Sequence, residues 1–214
     1  MSAGAANRSD MSSTEPSSTR RPLVLVHGLW DTPHLFRRLV RRLDAHDVPL
    51  LVPHLPHRLG AVPLSTLAQQ LDDHIRGHWG DDLKVDLLGF SMGGIIGRLW
   101  LQRFGGARRT HRFVSVGSPQ RGTVTAQWIP PWLFAGLADM KRGSPLLRSL
   151  NADVQVLEQL DCVSYYCRWD LMVVPGWQAH LPLGRVSSLP VLTHQQLISD
   201  PRALDVLLGT LLGD

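Results

Sequence analysis

The sequence predicts a single α/β domain, with a mainly parallel β-sheet and helices on both of its faces. Short apolar runs alternate with segments of helical periodicity along the chain, which is the pattern of consecutive βα units. The chain has 214 residues, of which 43% are hydrophobic, and this is enough for one domain with a sizeable core. No stretch of about 18 apolar residues occurs, so the sequence predicts a soluble protein without a membrane-spanning helix.

The N-terminal segment differs in composition from the rest of the chain. Residues 1–20 are rich in Ser, Thr, Ala and Gly and show no periodicity, so we predict a disordered tail there and the folded domain over residues 21–214. The pair Arg20-Arg21 is followed by an apolar run of four residues, which is shorter than the apolar core of a signal peptide. The expected location is therefore the cytoplasm.

The first half of the domain begins with a strand over residues 23–26, whose residues are apolar on both faces. Residues 35–43 follow as an amphipathic helix, because leucines and a valine fall on one side and four arginines on the other. Residues 48–52 predict a second strand, and Pro49 suggests that it lies at an edge. Residues 67–79 carry an apolar side chain at every fourth position, which predicts the next helix.

The second half begins with a strand over residues 84–88 that runs into a glycine-rich turn. The apolar segment 95–104 predicts a buried helix, and residues 113–116 predict a fourth strand. The pair Asp200-Pro201 is typical of a helix start and precedes the closing helix. The last two strands and this helix are predicted over residues 164–169, 186–192 and 202–212.

The pentapeptide Gly89-Phe90-Ser91-Met92-Gly93 lies where a predicted strand turns into a predicted helix. In this context a G-x-S-x-G sequence forms a nucleophile elbow, a strained turn that raises the serine hydroxyl above the sheet. Glycines on both sides of Ser91 give the clearance that such a turn requires. The backbone N–H of Met92 lies at the positive end of the helix and is a candidate oxyanion donor. The alternative is an ordinary glycine-rich turn.

A second loop, His27-Gly28-Leu29-Trp30, follows the first predicted strand. It is expected to bend over the carboxyl ends of the strands, where a backbone N–H could complete an oxyanion hole. Leu29 is the first candidate for this donor and Trp30 the second. His27 precedes the serine and lies at a strand end, so we interpret it as a buried imidazole that bonds to the loop backbone.

Together these residues resemble the α/β-hydrolases, and within them small lipase-like serine esterases with little or no cap domain. The resemblance covers about residues 22–212, and it rests on His27-Gly28, residues 89–94, Gly117-Ser118-Pro119 and Gly122-Thr123. It implies a catalytic triad in the chain order Ser, acid, His. It also implies a reaction that needs neither a metal nor an organic cofactor.

That order narrows the choice of base and acid. Of the ten histidines, His194 lies between the last predicted strand and the closing helix, where the family carries its base. His180 is the second choice, because no predicted strand immediately precedes it. Asp170 ends a predicted strand and is the preferred acid. Asp161 begins the same strand, which would place it at the opposite edge of a parallel sheet from Ser91.

Apolar side chains near these residues predict the substrate pocket. Trp30 belongs to the loop of the candidate oxyanion donor, and Val173 belongs to the apolar run after Asp170. The family resemblance implies a short flap or pocket wall within residues 124–150. Its aromatic run, with Leu137 and Met140 close behind it, is equally consistent with core packing. The pocket candidates in this run are Trp128, Trp132 and Phe134.

The resulting prediction is a serine hydrolase that cleaves carboxylic esters through an acyl-enzyme on Ser91, with His194 as the base and Asp170 as its orienting acid. A thioesterase or an acyltransferase would use the same residues. A catalytically idle binding module is the alternative from another class. The expected partner is a small-molecule or lipid ester, and the sequence leaves the oligomeric state open.

The net charge and the two cysteines bear on three other kinds of site: a nucleic-acid interface, a disulfide and a metal site. The net charge is +4, and no block of five or six like charges accompanies it, so we expect no nucleic-acid partner. The sequence is compatible with a transient contact with a membrane surface. Cys162 and Cys167 lie in or beside a predicted strand, where their Cα atoms would be about 16 Å apart. They are therefore expected to be free thiols rather than a disulfide or a metal site.

Overall fold

A computed structural model describes residues 20–126 and 135–213. Six strands form one parallel sheet in the order β2-β1-β3-β4-β5-β6, which confirms the predicted fold class. The strands are β1 (Leu23–Val26), β2 (Leu50–Leu51), β3 (Val85–Phe90), β4 (Thr110–Val116), β5 (Asp161–Tyr166) and β6 (Arg185–Ser188). The helices are α1 (Arg37–Asp44), α2 (Leu64–Trp79), α3 (Met92–Arg103), α4 (Ala135–Asp139), α5 (Pro145–Ala152) and α6 (Pro201–Leu212).

Helices cover both faces of the sheet. Alternate residues of the central strands point to opposite faces, so each strand contributes side chains to both layers. Val24 and Leu87 belong to one apolar cluster, which includes buried side chains of α2 and α3. Leu25 and Leu88 belong to the other cluster, which includes buried side chains of α1 and α6. The central strands are buried on both faces, as a sheet between two helical layers requires.

The last two strands lie earlier in the chain than the apolar pattern predicted. β5 begins at Asp161 because this residue and the next pair with β4, and Arg112 of β4 forms an ion pair with the Asp161 carboxylate at 2.8 Å. β6 is exposed at the sheet edge and ends at Ser188. Leu189 and Val191 are apolar and buried, but they pack under the sheet edge without extending the strand.

Other boundaries differ by a few residues. The helix predicted from residue 95 begins at Met92, because the chain turns into the helix directly after Ser91. β2 has only two residues, although residues 48–52 were predicted as a strand. Cys162 lies in β5 and Cys167 directly after it, and both are free and buried. The tail predicted over residues 1–20 lies outside the described residues except for Arg20. Over the described ranges, no helix has the length and apolar character needed to cross a membrane.

Candidate active site

Ser91 occupies the sharp turn between β3 and α3. Its backbone has φ 54° and ψ −125°, a strained conformation for a residue with a side chain. The Ser91 N–H donates to the carbonyl of Val116 at the end of β4, at 2.9 Å. This turn has the geometry of the nucleophile elbow that the pentapeptide predicted.

Glycines make the elbow sterically feasible. A Cβ on Gly93 would lie 2.2 Å from the Val26 carbonyl oxygen, and a Cβ on Gly89 would lie 2.4 Å from the Cα of Gly94. Both obstacles are backbone atoms, which cannot rotate away. On the other side of the turn, a Cβ on Gly28 would lie 2.8 Å from the Cβ of Ser91. The loop after β1 therefore packs directly against the serine.

The structure joins the predicted base and acid by a hydrogen bond. The Nδ1 of His194 lies 2.7 Å from the Oδ2 of Asp170, and both side chains are almost completely buried. The other carboxylate oxygen of Asp170 accepts from the backbone N–H groups of Met172 at 2.8 Å and Val173 at 3.0 Å. With its proton on Nδ1, the imidazole keeps a lone pair on Nε2. That atom has no hydrogen-bond partner among the described residues.

Asp170 lies four residues beyond β5, so its position depends on the loop that holds it. Thr123 fixes this loop, because its hydroxyl donates to the Met172 carbonyl at 3.2 Å and accepts from the Val174 N–H at 3.0 Å. The hydroxyl of Thr125 also donates to the Met172 carbonyl, at 2.7 Å. The segment after β4 thus holds the acid loop in place from the cavity side.

Ser91 and His194 open onto the same cavity, which has a volume of about 310 Å³. Trp30 and Val173, predicted as pocket residues, both line it, as does Leu29. Leu137 and Met140 also line it while belonging to the main core cluster, so for these two residues the roles of core and pocket wall coincide. The predicted pocket residues Trp128, Trp132 and Phe134 lie outside the described residues.

The cavity wall also contains residues that the sequence pattern did not predict. Two of them are polar and lie close to the predicted triad: Asp31 follows Trp30 directly, and Gln195 follows His194. Their positions next to predicted site residues were the available signal. The remaining wall residues that were not predicted for the pocket are Pro119, Thr123 and Met172, whereas Thr125 and Ala126 lie within the predicted pocket wall of residues 124–150.

The two candidate oxyanion donors flank Ser91. Met92 is the first residue of α3, and the first N–H groups of a helix have no partner within the helix. Leu29 follows Gly28, the glycine that contacts the serine, and lines the cavity. Across the described ranges, no group of three His, Cys, Asp or Glu side chains could hold a metal ion.

His27 makes the backbone contacts expected of a buried imidazole. Its Nδ1–H donates to the Gly28 carbonyl at 3.0 Å, and its Nε2 accepts from the Leu55 N–H at 3.2 Å. Both contacts are satisfied only by the neutral ring. Burial lowers the pKa of His27, and the nearby His57 and His54 lower it further, although the bond to Gly28 opposes this. His27 therefore ties the loop after β1 to the chain after β2.

The rival candidates lie elsewhere. His180 bonds through Nδ1 to the Trp177 carbonyl and is not part of the cavity wall. Asp161 begins β5, at the edge of the sheet opposite Ser91, and pairs with Arg112 and Arg185. Ser118 is completely buried.

The parallel sheet, the elbow at Ser91 and the His194–Asp170 pair define a protein of the α/β-hydrolase class. The sequence matches the α/β hydrolase family over residues 23–210, and the chain belongs to this family. No curated protein sequence is significantly similar to it.

Solved structures with the same fold include two lipases. The mature form of a lipase from Bacillus licheniformis superposes with a TM-score of 0.73 at 15% identity, over 92% of this chain and 94% of the lipase. Lipase B from Aspergillus fumigatus gives a TM-score of 0.74 at 19% identity, over 91% of this chain and 53% of that one. A bromoperoxidase from Bacillus anthracis gives 0.64 at 13% identity, over 92% and 93%. At identities this low, the superpositions establish a common fold and nothing further.

Proposed function

We propose that this protein is a serine hydrolase that cleaves carboxylic esters through an acyl-enzyme on Ser91. The observation that carries the proposal is the buried hydrogen bond between His194 and Asp170 beside the cavity of Ser91. A carboxylate on Nδ1 holds the proton there and leaves Nε2 free to accept one. Two of the structural neighbours are lipases, which agrees with this class of substrate.

In the proposed reaction, the Ser91 hydroxyl attacks the ester carbonyl carbon and passes its proton to His194 Nε2. The Asp170 carboxylate stabilises the imidazolium that forms. The backbone N–H groups of Leu29 and Met92 donate to the oxyanion of the tetrahedral intermediate. The imidazolium then protonates the leaving alcohol, and water attacks the acyl-enzyme by the same sequence of proton transfers to release the acid and Ser91.

The cavity suits an acyl chain of moderate length. Its wall next to Ser91 includes the apolar side chains of Leu29, Ala126, Leu137 and Met140. Burial of each methylene there contributes about 0.8 kcal/mol, which corresponds to about a fourfold gain in kcat/KM per carbon. We expect activity on p-nitrophenyl esters to rise from acetate until the cavity is filled, and to stop rising before palmitate.

The test combines active-site labelling with this ester series. A fluorophosphonate should label Ser91, as mapped by peptide mass spectrometry. The Ser91→Ala variant should not be labelled, and its kcat should be about 10⁶-fold lower. Ser118→Ala is the matched control. Ser118 is buried, so it should not take up the label, and its replacement should leave the labelling of Ser91 unchanged.

Labelling that persists in Ser91→Ala would contradict the proposal, and so would a lack of both labelling and turnover, the result expected of an idle binding module. Thioesters of the same acyl chains, measured in parallel, distinguish an esterase from a thioesterase. A preference for the thioester would reassign the substrate while leaving the role of Ser91 intact.

A further inference from the structure

The carboxylate of Asp31 faces the cavity of Ser91 and has no part in the proposed mechanism. Asp31 is half-buried and lines the cavity together with Ser91 and Gln195. A Cβ built on Gly28 would lie 2.8 Å from Ser91 Cβ and 3.0 Å from Asp31 Oδ2, so the carboxylate and the nucleophile flank the same glycine. A carboxylate accepts hydrogen bonds but donates none. It therefore cannot stabilise an oxyanion there.

Asp31 differs from Asp72 and Asp86, which each have an arginine partner. Asp72 pairs with Arg109 at 3.1 Å and Asp86 pairs with Arg21 at 3.7 Å. No arginine or lysine within residues 20–126 and 135–213 forms an ion pair with Asp31. Taking a charged carboxylate partly out of water without a cation beside it is unfavourable. Asp31 is therefore in a position to bind a cation from outside the protein.

The surroundings of Asp31 raise its pKa above the ordinary value of an aspartate. Burial raises the pKa of Asp31, whereas a hydrogen bond from the Gln195 side chain and the imidazoles of His194 and His57 act in the opposite direction. The Gln195 amide is neutral, and His194 must be neutral to act as a base. None of these three groups is a permanent cation.

Trp30 provides an aromatic face beside this carboxylate. Trp30 and Asp31 line the cavity of Ser91 together, and they also share the walls of two neighbouring grooves. The indole is 61% exposed and so can be contacted from outside. The face of an indole attracts ammonium groups, and quaternary ammonium ligands are commonly recognised by aromatic side chains.

The described part of the cavity wall holds few ionisable side chains. Among the described wall residues, Asp31 and His194 are the only ionisable side chains. Arg38 and Arg58 line the two neighbouring grooves, which Asp31 also borders, but they do not line the cavity of Ser91. Asp31 is therefore the one carboxylate of the described wall of this cavity.

We propose that Asp31 and Trp30 form a cation subsite beside Ser91, and that the preferred esters carry an ammonium group near the scissile bond. This inference rests on the proposed ester hydrolase function and specifies its substrate class. The carboxylate attracts the cation, the indole contacts its methyl or methylene groups, and the apolar wall accepts the rest of the ester. Esters with a carboxylate in the same place are disfavoured by repulsion from Asp31.

The test uses two esters of the same shape. Butyrylcholine carries a trimethylammonium group, and neohexyl butyrate carries a tert-butyl group in its place, so the pair differs in charge. The ratio of their kcat/KM values should fall about tenfold in Asp31→Asn relative to the unmodified protein, the size of one favourable ammonium contact. Asp44→Asn removes the same charge from an exposed site at the end of α1 and should leave the ratio unchanged. An equal ratio in Asp31→Asn and the unmodified protein would overturn the subsite.

A binding measurement separates failure of the subsite from failure of the proposed function. Choline and neohexanol can be titrated by NMR into the Ser91→Ala variant, with and without Asp31→Asn. Choline should bind about tenfold more tightly than neohexanol when Asp31 is present and about equally when it is replaced. Equal affinities with Asp31 present would refute the subsite even if esters are hydrolysed. Selective choline binding without turnover of any ester would support the subsite and refute the hydrolase.

Discussion

The imidazole of His194 packs against the ring of Phe90, with the ring centroids 4.8 Å apart and the planes inclined by 38°. Phe90 is the last residue of β3 and directly precedes Ser91. The candidate base therefore rests on the same strand that presents the candidate nucleophile. On another side, a Cβ at Gly117 would lie 3.1 Å from His194 Cε1, so the chain after β4 also confines the ring.

The first prediction separates the two candidate bases. His194→Ala should lower kcat by about 10⁶, as loss of a triad histidine does, because no other imidazole of the described cavity wall can accept the serine proton. His180→Ala should retain most of the activity, since this ring bonds to the Trp177 carbonyl outside the cavity wall. Steady-state kinetics on one p-nitrophenyl ester measures both. The opposite result would transfer the base to the loop that carries His180.

The second prediction concerns the acid. Asp170→Asn preserves the shape of the side chain but no longer holds the Nδ1 proton, so kcat should fall by about 10⁴. Asp161→Asn is the matched control, because it loses the ion pairs with Arg112 and Arg185 and should lower the melting temperature while kcat stays close to its original value. A strong loss of kcat in Asp161→Asn with little effect in Asp170→Asn would contradict the assignment.

The third prediction compares two glycines in helices. Gly93→Ala places a methyl group 2.2 Å from the Val26 carbonyl oxygen, so β1 or α3 must shift, and we expect a loss of about 2 kcal/mol or more in stability together with loss of activity. A Cβ on Gly209 in α6 meets no atom within 4 Å. Gly209→Ala should therefore stabilise the protein by about 0.5–1 kcal/mol through helix propensity. Urea unfolding measures both, and equal effects of the two substitutions would show that the crowding at the elbow is not significant.

The fourth prediction is a pH dependence of stability that originates at His27. Burial lowers the pKa of this imidazole in the folded protein, so the unfolded chain binds protons more readily. The free energy of unfolding should therefore decrease as the pH falls below about 6.5 and level off below the folded-state pKa. Protonation of Nε2 would also break its bond from the Leu55 N–H.

The variant His27→Gln keeps an acceptor for Leu55 and removes the titrating ring. Its urea midpoint should change less between pH 7 and pH 5 than that of the unmodified protein. Some dependence should remain, because burial also lowers the pKa of His57. His46→Gln, at an exposed position, controls for the loss of a histidine as such. Parallel curves for His27→Gln and the unmodified protein would exclude His27 as the source.

The sequence predicted the fold class correctly because the alternation of apolar runs and helical periodicity is a short-range pattern. The elbow is readable from one pentapeptide, since only glycine fits beside Ser91. The pairing of His194 with Asp170 was predicted from chain order through the family resemblance. Local composition alone carries no information about that pairing, because it forms between loops that lie 24 residues apart.

The ends of β5 and β6 could not be read from composition. Apolar residues continue after Ser188, but beyond the bond from Leu189 N–H to the Tyr166 carbonyl the chain turns back on itself, and Val191 N–H donates to the Leu189 carbonyl. Asp31 was missed for a related reason, because its importance comes from its position across Gly28 from Ser91. Nothing in the order Trp30-Asp31-Thr32 distinguishes a carboxylate that faces a cavity from one that faces solvent.

The contacts that hold Ser91 in its strained turn have a consequence for the way this protein acquires activity during folding. The Ser91 N–H bonds to Val116 of β4, and Gly93 packs on Val26 of β1, so the turn is secured by strands distant in sequence on either side of β3. A fragment containing only β3 and α3 would relax to an unstrained backbone. Reactivity of Ser91 during refolding should therefore appear only after the three central strands have assembled, which makes covalent labelling of this serine a direct measure of sheet completion.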